Sequence, residues 1–203
     1  MNQQKIKLVI FDAYGVILKG GYPPTMRIFA KMFHRNWKEL YAVFYTKYFN
    51  LAAEGKIKEP DAWKKPIAYF GFKLPWRKAL DIHLNRMSVN KMNLRLAKKL
   101  SLKYKTLLLT KNTPIQFKEA VFKRFKLSDY FGYIINTYDL KLPKAGLKTY
   151  QYLMKKFKVK PQEIFYVDDQ ESNLIEAKKI GVHTHLYKNY PLFKKELKKY
   201  QLI

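Results

Sequence analysis

The chain of 203 residues has no cysteine. Disulfides and thiolate metal sites are therefore excluded, and the composition fits a reducing compartment. Acidic residues are also few, with 15 Asp and Glu against 41 Lys and Arg, for a net charge of +26. Such a chain attracts phosphate, nucleic acid and anionic membranes. The excess is not gathered in one block, however. Lysines such as Lys98, Lys99, Lys123, Lys155, Lys156, Lys194, Lys195, Lys198 and Lys199 flank apolar positions, as the solvated faces of amphipathic helices do. Zinc-finger spacing, an aromatic RNA-binding signature and a helix-turn-helix are all lacking, so charge permits nucleic acid but does not make it the expected partner. No run approaches the ~18 apolar residues that span a bilayer. The opening MNQQKIKLVIFDAYG has no long apolar segment and no small-residue cleavage site. The expectation is a soluble, cytoplasmic protein with no membrane partner. Internal repeats and low-complexity linkers are lacking too.

What is present is an apolar chain, 48% hydrophobic, long enough for one domain or one core with an insertion. Five short apolar runs read as strands: 7–11, 106–110, 133–136, 164–167 and 183–187. Runs of this kind suit strands buried on both faces. Helical patterns lie between them, at 93–100, 114–125, 148–157 and 171–180. The last is closed by Gly181. This alternation predicts an α/β fold, a Rossmann-like parallel sheet covered on both sides, with ligands at the carboxyl ends of the strands. One region breaks the pattern. Between Gly20 and about Ser88 no strand is evident, and helical stretches at 25–33, 37–49, 61–69 and 76–87 carry all three tryptophans. It reads as a helical insertion over the carboxyl edge of the sheet, its aromatics mainly forming its own core. The expected division is a core of residues 1–19 and 89–203 and a helical cap of residues 20–88.

Polar residues stand at the strand ends. Asp12 follows the first strand. Thr110 ends the second, with Lys111 and Asn112 beyond it. Lys144 lies after the third, and Asp168, Asp169 and Asn173 follow the fourth. Singly, each is a common helix cap or surface residue. In order and spacing, they resemble the haloacid dehalogenase-like hydrolase superfamily. VIFDAYGVI resembles its strand, nucleophilic aspartate and turn. LLLTKNT puts Thr110 at its Ser/Thr position. KLPKAGLKTYQYL keeps the lysine, Lys144, and Tyr150 of its third motif, but Ala145, Gly146 and Leu147 replace Pro-Asp-Pro. IFYVDDQESNLIEAKKIG is close to its fourth motif and is the most specific signal in the chain. The insertion falls where this family places a cap.

The resemblance implies a chemistry. Asp12 would attack an electrophilic centre and form a covalent ester, splitting one hard step into two. Thr110, Gly15, Lys111 and Asn112 would surround the phosphoryl group, and Lys144 would offset developing charge. Asp12, the Tyr14 carbonyl, Asp168 and Asp169 would hold Mg²⁺, a cation that takes oxygen ligands, with Asn173 in support. The implied substrate is a small phosphorylated metabolite, and the chain a monomer or homodimer.

Tyr14 is the departure that matters. Phosphatases of this superfamily usually place a second aspartate there to protonate the leaving group and activate water. A phenol with pKa near ~10 is a poor base at neutral pH. Asp-Ala-Tyr-Gly also occurs in the 2-haloacid dehalogenases, where the aspartate attacks carbon without a metal. The Asp168-Asp169 pair argues for a metal, because three carboxylates against one lysine are costly to pack without one. The reading is a Mg²⁺-dependent phosphatase weakened by Tyr14. The alternatives are a dehalogenase-like hydrolase or a catalytically weak binding protein. His183 and His185 alternate on one strand and read as core residues rather than a metal pair. The basic tail, 190–203, reads as an amphipathic helix packed on the core.

Overall fold

The computed structural model describes residues 5–203. Its strands are β1 (Leu8–Asp12), β2 (Leu18–Lys19), β3 (Ser88–Val89), β4 (Lys105–Thr110), β5 (Tyr133–Asn136), β6 (Ile164–Asp168) and β7 (His183–Leu186). Five of them form one parallel sheet in the order β5-β4-β1-β6-β7. β1 lies at its centre, and Leu8, Val9, Ile10 and Phe11 are all wholly buried. Alternate residues serve opposite faces. Val9 and Phe11 join Leu94, Ala97, Leu108 and Phe165 on one side. Leu8 and Ile10 join Leu107, Tyr150, Leu153 and Tyr166 on the other. Burying each such side chain contributes about 1.5–3 kcal/mol, which is why the strand has no polar residue before its last. That last residue is Asp12, at the carboxyl edge where the sheet order diverges from β1 toward β4 and β6.

The covering helices are α1 (Tyr22–Phe33), α2 (Trp37–Tyr41), α3 (Asn50–Ala53), α4 (Glu59–Tyr69), α5 (Trp76–Asn85), α6 (Lys91–Ser101), α7 (Pro114–Phe117), α8 (Thr137–Leu140), α9 (Leu147–Phe157), α10 (Ile175–Lys179) and α11 (Tyr190–Lys199). The first five make the helical insertion, a cap with an apolar core of its own around Met26, Phe29, Leu40, Phe44, Trp63 and Leu80. Of the tryptophans, Trp63 is wholly buried there and Trp76 packs at its rim. Trp37 lies under the guanidinium of Arg27, 4.7 Å from the ring centre. Among the described residues no helix is long and apolar enough to cross a membrane.

The structure departs from the sequence reading in several places. The first cap helix starts at Tyr22 rather than Thr25, because Pro23 and Pro24 fit a first turn, where no backbone donor is needed. The helix expected over 37–49 runs on through α3, with residues Ala42–Phe49 wound as π-helix. The segment after Asp168 is not one helix. Residues Glu171–Asn173 form a 3₁₀ turn and α10 begins only at Ile175. The cause is Asp168, which draws in the backbone N–H of Gln170 at 2.9 Å and the side chain of Asn173 at 3.0 Å. Where the chain leaves and rejoins the core, β2 and β3 pair antiparallel, Leu18 with Val89 and Lys19 with Ser88. The final helix stops at Lys199; its Phe193 and Leu197, and Leu202 just beyond it, are buried in the core. His183 and His185 both meet aromatic rings of that segment, Tyr200 at 4.8 Å and Phe193 at 5.4 Å.

Candidate active site

Asp12, Thr110 and Asp168 are the terminal residues of three adjacent strands, β1, β4 and β6. Parallel pairing brings their side chains to one crevice, and Asp169 follows directly. One oxygen from each of Asp12, Asp168 and Asp169 lies within 4.8 Å of the others. Lys144, on the loop before α9, reaches between them. Its Nζ donates to Asp12 and, at 2.7 Å, to Asp168 Oδ2. Lys144 is 8% exposed and Asp12 4%, so this pairing is shielded from water.

The charges do not balance. Three carboxylates face one ammonium. Burial pushes the Asp12 carboxyl up to about 8, with Asp168 and Asp169 adding to the rise and Lys144 opposing it. Asp169 is raised by the same causes, burial first and then Asp168. Burial works against the charge on Lys144, but Asp12 and Asp168 outweigh it and raise its pKa. A group of oxygen ligands with surplus negative charge suits a hard divalent cation such as Mg²⁺. Asp12, Asp168 and Asp169 together could hold it. Asp168 is also engaged by Lys144, by the Tyr166 hydroxyl at 2.5 Å, by Gln170 and by Asn173.

Gly15 is required by this arrangement. Its φ is +96°, and a Cβ there would stand 2.1 Å from Asp169 Oδ2. Only glycine takes that backbone freely and leaves the carboxylate room. Thr110 is wholly buried, and among the described residues its hydroxyl has no partner. An unpaired buried hydroxyl is costly, and at the edge of a cavity it is a donor awaiting an acceptor. Thr137, the first residue of α8, is also buried with a hydroxyl that has no partner among the described residues, and it lines the same cavity.

The remaining expected residues are drawn into the scaffold. The Asn112 amide donates to the Tyr14 hydroxyl at 2.6 Å, and its backbone N–H is taken by Asn136 at 3.0 Å. Lys111 lines the cavity but reaches to the cap, where it donates to Asn50 Oδ1 at 2.8 Å. Burial raises the Tyr14 phenol well above its ordinary value, so it stays protonated. Asn173 donates to both Asp168 oxygens, and its carbonyl accepts from Tyr150 at 2.9 Å.

Three contributors escaped the sequence reading. Glu59, on the cap, accepts from Thr113 Oγ1 at 2.6 Å and from the N–H groups of Ile115 and Gln116 at 2.5 and 3.0 Å. It closes the start of α7 and seats the cap on the loop that carries Thr110. Tyr166 and Thr137 are the others. Tyr166 sits in the middle of β6 and Thr137 directly follows β5, where nothing in the local pattern separates them from core residues.

The chain matches the haloacid dehalogenase-like hydrolase family over residues 6–181, and it belongs to that family. No curated protein matches it. Among solved structures, it is similar to a HAD family enzyme from Bacteroides thetaiotaomicron in complex with magnesium. The identity is 22%, with 91% of this chain and 94% of that one covered, at a TM-score of 0.77. The same enzyme, with magnesium and inorganic phosphate, aligns at 22% identity and a TM-score of 0.76, covering 90% and 94% of the two chains. An L-2-haloacid dehalogenase from Xanthobacter autotrophicus, with chloropropionic acid covalently bound, aligns at 16% identity and a TM-score of 0.66, covering 98% and 84%. These likenesses establish the fold: a five-strand parallel sheet with a helical cap inserted near the N-terminus.

Proposed function

We propose that this hydrolase is a Mg²⁺-dependent phosphatase of small phosphorylated metabolites, acting through an aspartyl-phosphate on Asp12. The observation that carries the reading is the excess of carboxylate over ammonium at one crevice, beside the unpaired hydroxyl of Thr110. A haloacid needs no cation there, whereas a phosphoryl group brings oxygens for both a cation and a hydroxyl donor. The magnesium and phosphate held by the Bacteroides enzyme are the ligands such a site suits.

Asp12 Oδ bonds to phosphorus and the bond to the leaving oxygen breaks, its electron pair departing with that oxygen, while Lys144 holds the carboxylate in place and offsets charge. Thr110 donates to a phosphoryl oxygen. Asp168, fixed by Tyr166 and Asn173, holds Lys144. Asp12, Asp168 and Asp169 would together hold Mg²⁺, which when bound supplies the positive charge this group lacks. Water then attacks the phosphorus and returns Asp12 as carboxylate. Tyr14 cannot be the base that activates water, since its hydroxyl accepts from Asn112 and burial keeps it protonated. The loss of acid–base help costs roughly 10²–10⁴ in rate on substrates that leave poorly.

The test is hydrolysis of p-nitrophenyl phosphate with Mg²⁺ or with chelator, in the wild type and in Asp12→Asn. Release that needs both Mg²⁺ and Asp12 supports the reading. The sequence Asp12-Ala13-Tyr14-Gly15 favours a second reading, metal-free dehalogenation. Halide release from a 2-haloacid in the presence of chelator would replace the first reading with the second.

A further inference from the structure

The cavity above Asp12 has a volume of about 670 Å³, much more than a phosphate fills. Its cap side is a wall of aromatic rings: Tyr22 from α1, Tyr41 from α2, and Tyr45 and Phe49 from the π-wound stretch. The last three are spaced by four, which puts them along one side of their helix. The rings brace one another. Tyr22 lies 5.0 Å from Phe49, Tyr41 is 4.9 Å from Tyr45, and Tyr45 stacks on Phe49 at 5.2 Å and 13°. Asp12, Thr110 and Lys144 make the floor, so the wall faces whatever the phosphoryl group is attached to.

Among the described residues, the same space offers a leaving alkoxide no carboxylic acid outside the metal group and no free imidazole; its other proton carriers are phenols such as Tyr14 and ammonium groups such as Lys111, weak acids at neutral pH. Apart from Asp12 and Asp169, the carboxylate lining the cavity is Glu54, an exposed residue paired with Lys56 at 2.8 Å. The imidazole is His83, 1% exposed and held toward Thr25. Binding and chemistry thus select for the same thing. Resting on the phosphatase reading, we infer that the substrate is an aryl phosphate: a planar aromatic ring held against Tyr41 and Tyr45, joined to phosphate through a phenol-type oxygen.

Such an oxygen leaves without help. Asp12 Oδ forms a bond to phosphorus, the phosphorus–aryl oxygen bond breaks, and its electron pair departs with the phenolate. Water then bonds to phosphorus, the bond to Asp12 breaks, and that pair returns to the carboxylate. The water proton stays on phosphate or passes to solvent. A phenol has a pKa near ~10, against ~15.7 for bulk water, a measure of how much more an alkoxide needs an acid.

Two measurements test this, with p-nitrophenyl, phenyl, ethyl and acetyl phosphate as substrates and phenylphosphonate and methylphosphonate as ligands, all with Mg²⁺. Phenylphosphonate should bind at least about tenfold more tightly than methylphosphonate, the range of one good aromatic contact. Tyr45→Ala, or Tyr45→Leu if the smaller residue unsettles the cap, should bring that ratio toward one. Ethyl phosphate should turn over at least about 10²-fold more slowly than phenyl phosphate, and Tyr14→Asp should narrow the gap. Equal binding of the two phosphonates, or equal turnover of ethyl and phenyl phosphate, would overturn the inference and leave the phosphatase standing. Acetyl phosphate leaves well and has no ring. If it and the aryl phosphates are all inert, the phosphatase reading fails as well.

Discussion

Replacing Glu59 with alanine should loosen the cap from the core. The carboxylate is 6% exposed and accepts from three donors on the Thr113–Gln116 segment. Burial raises its pKa in spite of those donors, so desolvation offsets part of what the bonds contribute. The loss on mutation therefore comes mainly from the partners left behind. Thr113 Oγ1 and the N–H of Gln116 are buried, and the Ile115 N–H is partly so. Unpaired buried donors cost about 1–3 kcal/mol each, and water entering the gap recovers some of that, so we expect about 3 kcal/mol in all. For a chain of this length that lowers Tm by about 6–12 °C. Glu59→Gln keeps one acceptor and should lose about half as much. Urea denaturation gives the energies. Amide exchange at Ile115 and Gln116 locates them, since these two should lose protection before the sheet does. A Glu59→Ala protein within about 0.5 kcal/mol of wild type, with both amides still protected, would refute the reasoning.

Other consequences are as specific. Thr110→Val should keep or slightly raise stability, because the hydroxyl it removes is buried and unpaired, while aryl phosphate turnover falls at least about tenfold. A clear loss of stability in a denaturant melt would show that the hydroxyl has a partner in the folded chain. Gly15→Ala should abolish turnover and cost at least about 1 kcal/mol, since the methyl would meet Asp169 at 2.1 Å on a backbone with φ +96°. Unchanged kcat would contradict the close approach. His83 is buried and its pKa is lowered by burial to about 3. The unfolded chain thus binds a proton that the folded chain refuses between pH 3 and its ordinary value of 6.5, so stability falls as pH falls through that window. From pH 7 to 5 this one group removes about 2 kcal/mol, and His83→Gln should lack that share in parallel urea titrations. Matching pH dependence in the two proteins would mean that His83 is protonated in place.

The parts that could be read from sequence share a physical reason. The three central strands, β1, β4 and β6, are short apolar runs buried on both faces, which is what explains such runs beside so many lysines; the edge strands β5 and β7 are only partly buried. Asp12 and Asp168 were legible because each interrupts such a run at its end. The structure extends β1 and β6 to include them. What escaped depends on distant partners. Glu59 acts on residues 54 to 57 positions away, and its local context, Lys58-Glu59-Pro60, is an ordinary helix start. The β2–β3 pair is two residues long on each side, too short for any alternation. The helix expected over 171–180 failed because Asn173 and Gln170 bond Asp168 rather than continue a helix. The insertion's tryptophans were the conspicuous aromatics, yet the cavity is lined by Tyr22, Tyr41, Tyr45 and Phe49. Composition marks large rings but not which side of a helix they occupy.

The central claim is that Asp12 carries the phosphoryl group. It is tested most directly by mixing the protein with p-nitrophenyl phosphate and Mg²⁺, quenching in acid within one turnover, and mapping the digested chain by mass spectrometry. The account predicts a phosphate increment on the peptide that contains Asp12, lost with chelator and in Asp12→Asn. Turnover with Asp12 unmodified, or the increment on another residue, would contradict it.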